Sequence, residues 1–287
     1  MVGQSPSLSF EVFPPNPAVG NEKIFQTLKE MQDLAPHFIS VTASNNKFNI
    51  EETTVRLADY IHNDLSIPTI AHLPAVYLTK DMVSSILQAL DRVDVHKILA
   101  LRGDIIPDVA PKNDFRYATD LIEFIRQEAP HFELIGACYP EGHPDSPNQI
   151  SDIQYLKKKV DAGCSSLITQ LFFDNERFYD FQDKCVLAGI DVPIYAGIMP
   201  IINRNQALRL LKTCENIHLP RKFRAILNKY ENDAASLRAA GLAYAIDQIV
   251  DLVTQDTDGV HLYTMNNVET AHHIHQATKD LFHKSIT

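Results

Sequence analysis

Short apolar segments alternate with longer amphipathic segments along almost the whole chain. In 150–163, for example, Ile150, Ile153, Leu156 and Val160 have the spacing that predicts one buried helix face. Helical patterns of this kind cover 21–33, 51–64, 80–91, 117–128, 150–163, 175–188, 203–213, 233–253 and 267–283. The apolar segments, which have the length and composition of buried strands, are 7–13, 38–43, 68–74, 97–103, 133–139, 166–173, 193–199 and 259–265.

The alternation of eight strands with helices favours a closed (β/α)8 TIM barrel over an open doubly wound sheet. Only the segment 214–232 breaks it, and this segment is predicted to hold a short helix or a loop. The chain has 287 residues, 45% of them hydrophobic, and neither a low-complexity linker nor a repeat divides it. We therefore predict a single domain over residues 1–287.

Polar residues lie near the C-terminal ends of nearly all the predicted strands, although parallel strands covered on both faces are usually apolar. Glu11 is the most unusual of them, because it lies in an alternating stretch just before Pro14 and Pro15. A buried carboxylate is either paired with a basic group or kept protonated for use as an acid, and both readings stay open here. The ends of barrel strands converge on one rim, where active sites of this fold form, so the pattern predicts an enzyme. The other polar residues are Thr42, His72, Arg102 with Asp104, Tyr139, Gln170 and Tyr263.

Charge and cysteine content narrow the class of protein. The formal net charge of −10 disfavours a nucleic acid or an anionic membrane as partner. The first residues lack the pattern of a signal peptide, and no apolar run approaches the roughly 20 residues of a membrane span. The four cysteines are widely spaced without a CxxC pair, which predicts reduced thiols in a cytoplasmic protein. They are Cys138, Cys164, Cys185 and Cys214.

Other polar residues could bind a metal or a dinucleotide. Glu11, His72, Asp104 and His143 could serve a divalent ion, as in barrel hydrolases, but no HxH or HExxH spacing appears, and we predict no metal. The histidines at 272, 273 and 275 are expected on a solvated helix face. Of the three lysines 157–159, at most two can face one ligand. Because no GxGxxG follows a strand, a dinucleotide would have to be held by side chains of several loops.

Ten segments resemble the methylenetetrahydrofolate reductase family, in order and over essentially the whole chain. They are FEVFPP (10–15), SVTAS (40–44), AHL (71–73), ALRGD (100–104), YATDL (117–121), YPEGHP (139–144), LKKKVDAG (156–163), ITQLFFD (168–174), AGIMP (196–200) and YTMNN (263–267). The resemblance is to the short bacterial form, a catalytic barrel without a regulatory domain. It implies a barrel that binds FAD and passes a hydride from NAD(P)H to 5,10-methylenetetrahydrofolate in a ping-pong cycle. The product, 5-methyltetrahydrofolate, supplies methyl groups for methionine synthesis.

The resemblance also implies roles for individual residues. Glu11 becomes the general acid that protonates the folate ring, which suits a carboxylic acid in an apolar site. Asp104 lies beside the flavin pyrimidine edge, where its charge disfavours an anionic reduced flavin. Tyr139 and His143 flank the cofactor, and Lys159 lies near its diphosphate. The implied cofactor contacts are Thr42, His72, Arg102, Gly103, Asp104, Tyr117, Ala118, Tyr139, His143, Asp152, Lys158 and Lys159.

Two positions depart from the pattern of enterobacterial members. Asn267 stands where an arginine near the folate tail is expected, and Leu210 replaces a phenylalanine that packs on the substrate. The implied substrate contacts are Glu11, Gln170, Leu210, Tyr263 and Asn267. The sequence leaves open the choice of NADH or NADPH, a homo-oligomer and an accessory subunit. Two alternatives also stay open: a metal-assisted hydrolase or lyase that uses His72 and Asp104, and a flavin- or folate-binding protein without turnover.

Overall fold

Eight parallel strands close into a barrel in chain order, as the alternation predicts. The structure is a computed structural model and describes residues 6–15, 22–43, 50–106, 108–213 and 217–282. Glu11 of the first strand is in register with Ser40 on one side and with Tyr263 of the last strand on the other, which closes the barrel. The strands are β1 Ser7–Val12, β2 Ile39–Val41, β3 Thr69–Pro74, β4 Lys97–Leu101, β5 Glu133–Cys138, β6 Cys164–Thr169, β7 Ile194–Ile198 and β8 Gly259–Tyr263.

Helices follow the strands and surround the barrel. They are α1 Glu22–Gln32, α2 Arg56–Asp59 between π-helical turns at Glu51–Val55 and Tyr60–Asp64, α3 Lys80–Arg92, α4 Ala118–Glu128, α5 Gln149–Asp161, α6 Asn175–Leu187, α7 Arg204–Thr213, α8 Arg221–Lys229, α9 Ala234–Thr254 and α10 Val268–Thr278, which a 3-10 turn, Lys279–Leu281, continues. The short helix expected within 214–232 is α8, although 214–216 lie outside the described residues. Within the described part, no helix is both long and apolar enough to cross a membrane.

Two details of the predicted pattern are wrong. The strand predicted over 166–173 begins at Cys164 and ends at Thr169. The apolar residues that follow it are buried among helices instead, since Phe172 stacks on Phe178 and Phe173 on Phe223. In α5, Ile150 is 72% exposed, because the first turn of the helix faces solvent and the buried face begins one turn later, at Ile153.

The inward positions of the barrel form an apolar layer and a polar layer. Five apolar side chains pack together across the interior: Phe38, Ile70, Leu99, Ile135 and Ile168. His261 stacks on the ring of Phe38 and begins the polar layer, which continues toward the C-terminal ends of the strands. Outward positions such as Phe10 and Val12 are fully buried in the larger core that includes residues of the surrounding helices. Polar inward residues near the strand ends therefore face the mouth of the barrel.

The described cysteines are free thiols. Cys138, Cys164 and Cys185 are buried and form no disulfide, as the sequence predicts. Burial raises the pKa of the Cys164 thiol to about 11 and that of Cys185 to about 12. The fourth, Cys214, lies outside the described residues.

Candidate active site

Glu11 and His72 face each other inside the mouth of the barrel. The Oε2 atom of Glu11 lies 3.8 Å from Nε2 of His72, and the two side chains are 21% and 7% exposed. Burial raises the pKa of Glu11 to about 8 and lowers the pKa of His72 to about 3. Both groups are therefore uncharged at neutral pH. Among the described residues no lysine or arginine pairs with Glu11, which favours the acid reading over the ion-pair reading.

Tyr263 closes the mouth on the side of β8. Its hydroxyl donates a hydrogen bond of 2.6 Å to the carbonyl of Thr169 at the end of β6. Burial, and then the charge of Glu11, raise the pKa of this phenol. Gly197 makes the arrangement possible, because a Cβ at this position would lie 2.7 Å from the Tyr263 ring. The acid and the phenol therefore share one small interior space.

His72 has an unused polar atom that points to a ligand. Its Nε2 is buried and has no hydrogen-bond partner in the part of the chain that the structure describes. A buried polar atom without a partner is costly, so native structures usually satisfy it with water or a bound molecule. The mouth of the barrel is therefore suited to hold a ligand with a matching polar group.

A buried serine–histidine–serine group lies one layer below Glu11. The hydroxyl of Ser9 lies 2.8 Å from Nδ1 of His261, and the hydroxyl of Ser40 lies 3.0 Å from its Nε2. Burial, and then the nearby His72, lower the pKa of His261 to about 3. This group was not predicted, although a histidine between Val260 and Leu262 in a buried strand was a usable signal. The group forms a neutral polar floor beneath the acid.

A cleft of about 510 Å³ opens between the ends of β4 and β5 and the helices α4 and α5. Its volume is within the usual range of ligand pockets. Most of the predicted cofactor contacts meet in it, namely Arg102, Tyr117, Ala118, Tyr139, His143, Asp152, Lys158 and Lys159. Thr42, His72, Gly103 and Asp104 lie outside its lining.

The three lysines of α5 point in different directions, as their spacing on the helix requires. Lys159 is half-buried in the cleft, where its Nζ donates to the Ala137 carbonyl at 2.5 Å, and burial lowers its pKa. Lys158 is exposed and lies over the Tyr155 ring, which also lines the cleft. Lys157 pairs with Asp161 on α5 and does not line the cleft. Two of the three lysines therefore face one cavity, as predicted.

Aromatic and charged groups at the strand ends shape the cleft. The rings of Tyr139 and His143 meet edge to face, with centroids 4.6 Å apart. Burial is the main cause that raises the pKa of Tyr139 to about 12 and lowers that of His143. Arg102 donates to a carboxylate oxygen of Asp145 at 2.7 Å, and this hydrogen bond lowers the pKa of Asp145.

The loop after β4 passes close to the end of β3. Gly103 has φ +88°, and a Cβ at this position would lie 2.9 Å from Cβ of Pro74. Asp104 follows it as an exposed side chain. The backbone here can approach a ligand closely because no side chain intervenes. Thr42 is half-buried at the end of β2, where its amide donates to the Val12 carbonyl at 2.9 Å.

The predicted substrate contacts are more dispersed. Gln170 is exposed at the end of β6, and its side-chain oxygen accepts from the amide of Leu171 at 2.9 Å. Leu210 is only 3% exposed and packs in a hydrophobic cluster with Phe173 and Phe223, so the structure does not bring it to the surface of the rim. Asn267 caps α10, since its Oδ1 accepts from the Thr270 amide at 2.9 Å.

Asn267 also lines a second cavity, of about 360 Å³, between the ends of β7 and β8. Two polar residues of this cavity, Gln206 and Arg209, were not among the predicted site residues. The side-chain oxygen of Gln206 accepts from the Ile202 amide at 3.0 Å. The full lining is Ile202, Asn203, Asn205, Gln206, Arg209, Met265 and Asn267, in which Arg209 is the charged residue.

Comparison with known proteins gives a consistent result. The family model for methylenetetrahydrofolate reductase matches residues 2–279. A 5,10-methylenetetrahydrofolate reductase of Buchnera aphidicola subsp. Baizongia pistaciae is 34% identical over 264 residues, covering 92% of this chain and 88% of that protein. The Escherichia coli K12 protein of the same name is 31% identical over 268 residues, with 93% and 89% covered.

A solved structure shares the fold. It is an uncharacterized protein from Clostridium thermocellum that binds two copies of 5-methyl-5,6,7,8-tetrahydrofolic acid. The TM-score is 0.63 at 17% identity, and the match covers 97% of this chain and 96% of that one.

Proposed function

Because the chain belongs to the methylenetetrahydrofolate reductase family, and is thus an oxidoreductase that reduces methylenetetrahydrofolate, we propose that it works with FAD as cofactor and NAD(P)H as donor. The observation that carries the proposal is the buried position of Glu11 at the barrel mouth, which raises its pKa to about 8, near a cleft large enough for much of a dinucleotide. The product, 5-methyltetrahydrofolate, would supply methyl groups for methionine synthesis. A protein of the same fold that binds this product supports the choice of ligand.

Several observations fit FAD. The cleft has a half-buried lysine, Lys159, and an exposed one, Lys158, which suit a diphosphate. Tyr139 and His143 present ring faces and edges at the strand ends. Gly103 allows close approach of backbone, and Nε2 of His72 lacks a partner among the described residues. When bound, FAD supplies the chemistry that accepts a hydride and passes it on.

Glu11 holds the proton that the folate ring needs. Opening the five-membered ring requires protonation of a ring nitrogen, which produces an electrophilic iminium for hydride attack. A carboxylic acid with a pKa of about 8 is protonated at neutral pH and can donate this proton. His72, held neutral, cannot take the proton as a competing base at neutral pH. The floor formed by Ser9, Ser40 and His261 keeps water from the inner side of the acid.

Asp104 and Gln170 act on the outer side of the mouth. With FAD bound, the negative charge of Asp104 would disfavour further negative charge on the flavin ring and so would favour hydride donation. Gln170 hydrogen-bonds the pterin or the nicotinamide. Because both planar substrates need the same face at one mouth, they bind in turn, and steady-state lines should be parallel in a ping-pong cycle.

The second cavity is suited to the glutamate tail of the folate. Asn267 uses its side-chain oxygen to cap α10, so its amide group alone can face a ligand. Arg209 lines the same cavity and supplies the positive charge that the family pattern leads one to expect at position 267. We assign tail recognition to Arg209, with Asn267 as a neutral neighbour. Leu210 anchors α7 by packing in the hydrophobic cluster that contains Phe223.

The decisive experiment separates the two half-reactions of the purified protein. Under anaerobic conditions, NADH or NADPH should bleach the flavin absorbance, and methylenetetrahydrofolate should restore it. Glu11→Gln should still be reduced by the nicotinamide, while reoxidation by the folate slows by about 10²–10⁴-fold. An equal loss in both half-reactions would instead make Glu11 a structural residue.

The same experiment tests the two rival readings. A colourless protein that takes up no FAD and hydrolyses a substrate with added metal would favour the hydrolase. A protein that binds flavin or folate but is not bleached by either nicotinamide would be a binding protein without turnover.

A further inference from the structure

Two histidines and an aspartate gather at the end of the barrel opposite the mouth. Asp91 lies in the last turn of α3, His96 immediately precedes β4, and His131 lies shortly before β5. Residues that precede the strands of a (β/α)8 barrel lie on its N-terminal face, away from the catalytic rim. The group is therefore independent of the site described above.

The three side chains converge on one point. Oδ1 of Asp91 lies 3.1 Å from Nε2 of His96 and 2.7 Å from Nε2 of His131. All three atoms lie within 4.8 Å of one another. Ligand atoms on a tetrahedral zinc ion at about 2.0–2.1 Å are about 3.3 Å apart, so the two distances from Asp91 each need to change by less than about 1 Å. The side chains are 38–52% exposed, which leaves them accessible and able to make this adjustment.

A second carboxylate stands behind one of the histidines. Nδ1 of His96 lies 3.5 Å from Oδ1 of Asp94, on the opposite side of the ring from Asp91. Metal-bound histidines almost always place their other nitrogen against a carboxylate, a backbone carbonyl or water, because this partner orients the ring and directs the free lone pair to the metal. Asp94 has φ +58°, a left-handed conformation that is uncommon for a residue other than glycine. The other oxygen of Asp94 lies 3.8 Å from Nε2 of His62.

Within the part of the chain that the structure describes, no lysine or arginine forms an ion pair with Asp91. Lys97, the residue after His96, is paired with Glu133 at 2.7 Å. Exposed histidine–carboxylate pairs contribute little to stability, so the convergence of two imidazoles on one oxygen is not explained by its value as an ion pair. Two imidazoles and a carboxylate are a ligand set suited to zinc, cobalt and nickel.

We propose that Asp91, His96 and His131 bind a divalent transition-metal ion of the zinc class, with Asp94 as the carboxylate that orients His96. A bound ion joins the end of α3 to the segments that begin β4 and β5. The ion therefore cross-links three segments of the N-terminal face of the barrel. Its remaining coordination positions are open to water. The metal thus stabilises the fold and takes no part in hydride transfer.

The test uses the full chain without an affinity tag, first freed of metal with a chelator. Titration with Co²⁺ should give visible d–d absorption that saturates at one ion per chain, and Zn²⁺ should abolish it and raise Tm. His131→Gln and Asp91→Asn should each weaken binding by at least about tenfold. Circular dichroism verifies that each variant is folded, and two variants on different elements guard against the failure of one.

The control is a double variant, His272→Gln with His273→Gln, which removes two exposed histidines of α10. It should bind Co²⁺ like the parent, and the flavin of all variants should be reduced at the parent rate. Binding only at millimolar metal, undiminished binding in His131→Gln and Asp91→Asn, or loss of binding in the control would each overturn the proposal.

Discussion

At the scale of single residues, Glu11 and His72 show how burial sets charge. Each would favour the charge of the other if both were ionised, yet both lie at the mouth of a barrel where desolvation penalises any charge. Burial causes both pKa shifts, so the acid keeps its proton and the imidazole stays neutral. This is the arrangement that a general acid working at neutral pH requires.

The raised pKa of Glu11 predicts the pH dependence of the folate half-reaction. Its acid form is present below a pH of about 8, so the rate of flavin reoxidation should be constant there and fall as pH rises through about 8. Reduction by the nicotinamide needs no proton from Glu11 and should lack this decrease. Stopped-flow measurements of each half-reaction from pH 6 to about 9.5 would test this. The same decrease in Glu11→Gln would refute the assignment.

Arg209 predicts a defect that depends on the tail of the substrate. Arg209→Gln removes the proposed charged hydrogen bond to a carboxylate of the folate tail, which is worth roughly 1.5–3 kcal/mol. It should therefore raise KM for the folate about 10- to 100-fold with little change in kcat. The matched control is Arg204→Gln on the same helix, since Arg204 pairs with Glu231 and does not line the cavity.

A truncated substrate sharpens this test. For methylenetetrahydropteroate, which lacks the glutamate, Arg209→Gln and the parent should have the same KM. A rise in KM for both substrates would show that Arg209 acts through the structure of α7 and not through the tail.

At the scale of elements, α5 and β6 show what periodicity can and cannot reveal. The helical spacing of 157–159 was sufficient to predict that only part of the lysine run faces a common cavity. The same kind of pattern predicted that Ile150 belongs to the buried face, whereas the structure has it exposed. After β6, Phe172 and Phe173 continue an apolar run but are buried between helices. An apolar run therefore predicts burial more securely than it predicts which element buries it.

Lys159 on α5 gives a prediction for cofactor binding. Lys159→Met keeps most of the buried stem but removes the cation in the cleft, and the Kd for FAD should rise about tenfold. Lys157→Met should leave the Kd unchanged, because Lys157 pairs with Asp161 away from the cleft. Quenching of flavin fluorescence during titration measures both. An equal rise in the two variants would point to a general effect of charge on α5.

At the scale of the whole molecule, three buried groups predict a maximum of stability near pH 6.5. His72 and His261 have pKa values of about 3 in the fold against 6.5 in the unfolded chain, so the free energy of unfolding falls as pH drops from 6.5 to 3. Glu11 has a pKa of about 8 against 4.5, so it lowers stability as pH rises from 4.5 to 8. The two histidines outweigh the acid below pH 6.5, and the acid acts alone above it.

Urea denaturation between pH 4 and about 8.5 would test this maximum through differences between variants. Glu11→Gln should flatten the decline above pH 6.5, and His261→Gln should reduce the slope below it by about 1.4 kcal/mol per pH unit. His272→Gln, at an exposed position, should change neither slope. Parallel curves for all variants would mean that these groups titrate alike in the folded and unfolded chains.

Local spacing along the chain is sufficient to predict the architecture and the polar residues of the rim. Eight apolar segments separated by helical patterns predict the closed barrel, and the boundaries of the strands agree within two residues except at the end of β6. Polar residues near strand ends predict one shared mouth, because parallel strands in a barrel all end on the same side. These features depend on local spacing, which a linear pattern contains.

The charge state of the acid and the positions of groups assembled from distant segments depend on three-dimensional packing. The neutral state of Glu11 depends on desolvation and on the absence of a basic partner within the described residues, and neither is visible in its flanking sequence. The Ser9–His261–Ser40 group, the cavity of Arg209 and the cluster around Asp91 each join side chains from different strands and helices. Desolvation and convergence are properties of three-dimensional packing, so no pattern along the chain specifies them.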